Sequence, residues 1–211
     1  MSTLLAIDPG IAATGVKGNW LPDLGLLKTW VSDNYGPVTQ SLAYVTYQPL
    51  NRVGTLLDDL SDNGRDQYCK FLEKTGYTDV SRIYSTQGDN GNLKCNADTS
   101  IVRDIWSHAT RKERLYSPIM GYYDTLVKGP YNTFVGVMGD WDIIRPLVVT
   151  ERVIGTQPTL MELGIKVVII YKEECTKKEV LSLADRGVIT FIPLEKYRDV
   201  LTKERAVKAI V

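Results

Sequence analysis

The chain of 211 residues contains one histidine, His108, and three cysteines, Cys69, Cys95 and Cys175. A single imidazole excludes any centre built on two histidines, and a Ser–His–acid triad would have to use His108. The cysteines are odd in number and far apart, so they form neither a disulfide framework nor a CxxC zinc clip. Thiols of this kind suit a reducing cytosol, and a cytoplasmic location is the expectation. No apolar run approaches the ~18 residues of a membrane span. The opening MSTLLAIDPG has no basic region ahead of a long apolar core, so neither membrane insertion nor a secretory leader is expected. Excess charge of either sign is also missing, since Lys plus Arg and Asp plus Glu are 25 each. No global basic field draws the chain to nucleic acid, so any polyanion must be held by a local patch.

What is present is an ordinary globular composition, 44% hydrophobic and 24% charged. A chain of this length buries roughly 70% of its unfolded surface without disulfides or metal. Apolar or β-branched runs at 3–8, 42–48, 80–85, 133–138, 165–171 and 188–192 read as strands. The run IKVVIIY at 165–171 is apolar almost throughout, as a parallel strand buried on both faces requires. Helices are expected at 66–76, from 96 or 98 to 108, across the valine-rich 143–154, at 176–185 and in the charged 195–210. The segment 16–40, broken by Gly18, Pro22, Gly25, Gly36 and Pro37, holds a helix or a hairpin. Strands alternating with helices predict an α/β fold with a mainly parallel central sheet.

Catalytic chemistry then falls to carboxylates. In an open parallel sheet, ligands bind at the carboxyl ends of the strands, near the reversal in strand order. Asp8 ends the first expected strand, and Asp140 follows the fourth, with Asp142 two residues on. Asp98 stands at the start of an expected helix. Taken singly, an Asp in such a place is a turn former or an N-cap. Several at one edge repel, and a fold that gathers them either holds a cation or raises a pKa. Oxygen ligands without histidine or thiolate suit Mg²⁺ or Mn²⁺ better than zinc, and such a centre aligns water with a phosphodiester.

The series K-x-x-x-D-x-x-x-x-x-D (Lys94, Asp98, Asp104), followed by a strand and G-D-x-D (Gly139, Asp140, Trp141, Asp142), resembles the NYN-domain family of PIN-like nucleases. The likeness is best to its LabA-like branch. It extends in order from the strand ending at Asp8, through LAYVTYQ and RDQYCKFLEKTGY, to KKEVLSLADRGVITFIPL. The resemblance implies a three-layer α/β/α PIN-like domain over 1–194, with insertions, and a charged helix or tail at 195–211. It implies metal-dependent hydrolysis of RNA or single-stranded DNA, with Mg²⁺ or Mn²⁺ as cofactor. By position, Asp8, Asp98, Asp140 and Asp142 become the catalytic and metal-binding acids. Asp104, about 120° around the helix from Asp98, becomes a more distant member, and Lys94 a phosphate contact. The sequence departs from the family where its usual Asn is Ile11 and its usual Ser is Met138. Those losses favour a binding module on the same fold, an RNA or protein platform without turnover.

Asp8-Pro9-Gly10 with Thr14-Gly15 also resembles the first strand and turn of RuvC-like nucleases. This second resemblance implies a DNA-junction nuclease, with a strand in PLVVTE ending at Glu151 and a helical acid such as Asp185. Trp20, Trp30 and Trp141 are candidates for base stacking, while Trp106 is expected in the core. His108, Arg111, Lys112 and Arg114 form either a solvated helix end or a phosphate contact. Tyr116, Tyr122 and Tyr123 follow no clear periodicity. The oligomeric state is left open, a homodimer included. Under the first resemblance Asp98→Asn should abolish metal-dependent cleavage and Glu151→Gln should leave it unchanged. Under the second the two outcomes exchange, and a single-turnover assay of both variants decides.

Overall fold

A period of two runs through every central strand. In β1 (Thr3–Ile7), Leu4 and Ala6 face one side of the sheet while Leu5 and Ile7 face the other, and all four are buried. β2 (Val38–Tyr47) sets Leu42 and Tyr44 against Ala43 and Val45 in the same way. Because neither face carries a solvated stripe, these strands need cover on both sides. Such cover is supplied by helices, and each fully buried Leu or Ile contributes roughly 1.5–3 kcal/mol.

The computed structural model describes residues 2–8, 22–47, 62–84, 86–87, 93–94, 97–149, 158–172, 178–185 and 189–201. After β1 come α1 (Leu24–Tyr35), β2, α2 (Asp62–Lys74), β3 (Asp79–Tyr84) and a minimal pair, β4 (Thr86–Gln87) with β5 (Leu93–Lys94). Then follow α3 (Ala97–Ala109), the hairpin β6 (Thr110–Ser117) and β7 (Gly121–Lys128), β8 (Thr133–Val137) and α4 (Trp141–Val148). The described chain closes with β9 (Lys166–Tyr171), α5 (Lys178–Asp185), β10 (Thr190–Pro193), a 3₁₀ turn at Leu194–Tyr197 and α6 (Arg198–Leu201).

Six strands form one sheet in the order β10-β9-β8-β1-β2-β3, with every neighbouring pair parallel. Leu24, Leu27 and Val31 of α1, Cys69 and Leu72 of α2, and Leu201 of α6 cover one face. Ile101 and Ile105 of α3, Ile143 and Leu147 of α4, and Leu183 of α5 cover the other. The result is a three-layer α/β/α fold, as expected. No helix among the described residues is long and apolar enough to cross a membrane.

Several boundaries differ from expectation, each for a local reason. The 16–40 segment contains α1, capped by Asp23, whose carboxylate accepts from the Leu26 N–H at 2.9 Å. α1 stops at Gly36, which takes φ 95°. β2 then starts at Val38, ahead of the apolar run that announced it. The helix expected over 143–154 ends at Val148, where Val149 turns to an extended backbone (φ −102°, ψ 117°), and Pro146 is carried inside it. Pro146–Val148 is therefore helical, and the strand that PLVVTE was expected to form is absent there. Of the charged stretch 195–210, only 195–201 is described; α6 lies within it and buries Leu201 against α1.

The β6–β7 hairpin has no counterpart in the expectations. Its strands, TRKERLYS and GYYDTLVK, show no apolar alternation because neither face packs into the core. The hairpin is closed at its base, where the Gly129 N–H donates to the Ala109 carbonyl at 2.8 Å. A Cβ on Gly129 would meet that oxygen at 2.8 Å, so only glycine fits.

Tyr44, Tyr68 and Tyr77 carry phenols that burial pushes well above the usual value of 10. At Tyr44 the nearby carboxylates of Asp104 and Asp79 add to the effect. These phenols stay neutral in the folded chain while the unfolded chain ionises from about pH 10. Their contribution is complete below that pH and is lost as pH rises towards the folded values. The Tyr44 hydroxyl is also buried without a hydrogen-bond partner. Tyr44→Phe should therefore leave stability at pH 7 unchanged or higher. It should also flatten the fall in stability between pH 9.5 and 11 by up to ~1.4 kcal/mol per pH unit, as read by urea denaturation.

Candidate metal centre

The strand order reverses between β1 and β8, the place where an open parallel sheet leaves a crevice at its carboxyl edge. Two expected acids belong to that edge. Asp8 follows β1, and its N–H donates to the Val137 carbonyl at 3.0 Å, extending the pairing of β1 with β8 by one residue. Asp140 follows β8 and starts α4. Its Oδ1 accepts from the Asp142 N–H at 3.1 Å, which makes it the N-cap.

Asp142 lies in the first turn of α4, and Asp98 in the first turn of α3, which packs against α4. Carboxylates in a first turn are favoured by the unpaired N–H groups and the positive end of the helix dipole. Two helix starts brought together therefore gather acids that would otherwise repel. Asp98, Asp140 and Asp142 each present one oxygen, and the three lie within 4.8 Å of one another. Asp98 and Asp140 are half-buried and Asp142 is exposed. A carboxylate has two oxygens, so capping with one leaves Asp140 another. Three such groups from two elements could hold a hard divalent cation. Asp8, half-buried on the adjoining strand, flanks this trio and is not one of its members.

The other candidates fall elsewhere. Asp104 is half-buried beside Tyr44 and takes the Arg103 guanidinium at 3.6 Å. Met138 is fully buried, its thioether end laid over Gly136, so it fills core space. Trp141 packs against the first core cluster, Trp106 is buried, and Trp30 rests 4.7 Å from the Tyr197 ring. His108 faces Asp79 at 3.7 Å. Ile11, Trp20 and Glu151 lie outside the described residues, as do the side chains of Lys94 and Asp185.

A groove of about 770 Å³ opens beside the acids, between α3, α4 and the base of the β6–β7 hairpin. Asp142 stands on its wall, with Arg103, Arg111, Lys112 and Arg145. Of these, Arg103 and Arg145 were not singled out from the sequence. The available signal was the helical stripe Thr99, Val102, Arg103 and Trp106, in which an arginine joins an otherwise small or apolar row.

No protein-family model and no curated protein matches the chain. Among solved structures it is similar to the crystal structure of a protein of unknown function, VPA0982, from Vibrio parahaemolyticus. The TM-score is 0.55 at 16% identity, over 92% of each chain. This likeness concerns the fold.

The dual use of Asp140 can be separated from its charge. Asp140→Asn keeps a capping oxygen, whereas Asp140→Ala removes it. The Ala variant should lose about 1 kcal/mol more in urea denaturation than the Asn variant. Equal losses would mean that the cap contributes nothing.

Proposed function

We propose that this protein is a metal-dependent nuclease that hydrolyses phosphodiester bonds in RNA or single-stranded DNA. The observation that supports it is the convergence of Asp98, Asp140 and Asp142 at the carboxyl edge where the strand order reverses. The resemblance to NYN-domain nucleases names the same three acids, together with Asp8. Oxygen-only donors without histidine or thiolate suit Mg²⁺ or Mn²⁺. Such an ion supplies a bound water of lowered pKa and neutralises charge on the phosphoryl oxygens.

The chain's own groups have distinct parts in this reading. Asp98 and Asp142, each in the first turn of a helix, would be two of the residues that hold the ion. Asp140 would be the third, while its cap fixes the start of α4. Asp8, after the adjoining strand β1, would be available to position a water beside the ion. A second reading, a binding module without turnover, is favoured by Met138, which offers the site no hydroxyl.

Purified protein incubated with labelled single-stranded RNA and single-stranded DNA should cut at least one of them with Mn²⁺, and neither with EDTA. Asp98→Asn and Asp142→Asn should each slow cleavage by about a hundredfold or more, since ion-borne charge stabilisation is worth several kcal/mol. Mn²⁺ should raise the melting temperature of the wild type more than that of either variant. Absence of both cleavage and a metal-dependent melting shift leaves the binding module.

A further inference from the structure

The β6–β7 hairpin stands out from the sheet, and its register places related side chains on one surface. Thr110 pairs with Lys128, Lys112 with Leu126, Arg114 with Asp124 and Tyr116 with Tyr122. Directly opposed residues share a face, as do alternate residues along each strand. Thr110, Lys112 and Leu126 line the groove beside the acids. Arg114, Tyr116 and Tyr122 therefore continue that same surface outward. Tyr116 lies about 14 Å beyond Lys112 at the ordinary rise of a strand.

The outer end of this surface is aromatic. The Tyr116 and Tyr122 rings lie 5.2 Å apart, and the Arg114 guanidinium sits 5.2 Å from the centre of the Tyr122 ring. Both tyrosines are about two-thirds exposed, at 65% and 69%, although burying aromatic rings is among the largest hydrophobic gains open to a fold. The inner end is cationic. Arg103, Arg145, Arg111 and Lys112 line the groove with Asp142 as the acid among them. Arg103 pairs with Asp104 at 3.6 Å and Arg111 with Glu113 at 3.4 Å. Exposed pairs of this kind contribute little and yield readily to phosphate. Asp124 is the acid on the hairpin's groove-side face, opposite Arg114.

A cationic groove continuous with an aromatic platform is the combination that holds single-stranded nucleic acid: phosphates on the cations, base faces on the rings. A duplex keeps its bases stacked inside and offers nothing to Tyr116 and Tyr122. We propose that a single strand lies along this surface, its bases on Tyr116 and Tyr122 and its phosphates on Arg103, Lys112 and Arg145. The track ends at Asp142. Binding along the track stands by itself, whereas delivery of the strand for cleavage rests on the nuclease reading.

The test is fluorescence anisotropy of a labelled RNA of about 12 nucleotides, within the usual span of single-strand sites, with protein in EDTA. The single strand should bind more tightly than a duplex of the same sequence. Tyr116→Ala/Tyr122→Ala should weaken binding by about fivefold or more while leaving its salt dependence unchanged. With three phosphate contacts, log Kd against log salt should have a slope of magnitude about 2, and Arg103→Gln/Arg145→Gln should reduce it by about 1.4. The tyrosines, Arg103 and Arg145 are all exposed, and exposed polar contacts contribute little, so melting curves of the variants should match the wild type. Wild-type binding by both double variants, or equal affinity for duplex, overturns the track. A protein that binds the strand through these residues yet cuts nothing keeps the track and removes the nuclease reading. One that cuts strands equally well with either double variant does the reverse.

Discussion

The parallel pairing of β1 with β8 is the constraint on which the rest of the molecule depends. β1 is buried completely, and its two faces belong to different core clusters. The chain must leave this strand towards β2 on one side and return to β8 on the other, so the crossovers diverge from the sheet at that point. Divergence opens the edge and leaves room for side chains that the packed faces exclude. A polar residue one position earlier, in place of Ile7, would stand in the core instead of at the rim.

Helix starts complete what the sheet begins. α3 and α4 both cover the same face, and both begin at the edge where β8 ends. Each brings unpaired N–H groups and a positive dipole end. The acid before α4 thus serves its own helix, as the hydrogen bond from Asp142 N–H to Asp140 shows. Local stability and a charged site arise from the same residues, and this resolves the difficulty of holding three carboxylates within 4.8 Å.

Much of this was legible in the sequence, and the reason is burial. Strands such as TLLAI and KVVIIY are apolar because both faces are covered, so they stand out without an alignment. The three converging acids were legible because two of them sit in a G-D-x-D run after a strand, and the third opens a helix. Asp8 was placed correctly at the edge, but its relation to the trio depends on side-chain directions that no spacing encodes. The hairpin was illegible for the opposite reason to the strands: Arg114, Tyr116 and Tyr122 are paired in register but exposed. Arg145 was passed over because its role is set by the groove between α4 and the hairpin, a relation between distant segments.

The backbone contact between Gly129 and Ala109 also bears on how such a chain could have been assembled. The excursion from Thr110 to Lys128 leaves and re-enters the main body at two residues that already touch. Its removal would leave a gap that a peptide bond could nearly close, with β8 still in register beside β1. The hairpin is thus a cassette, separable from the sheet that carries the acids. A lineage could lengthen it, shorten it or exchange its exposed tyrosines while the six-stranded sheet and the three acids stay in place.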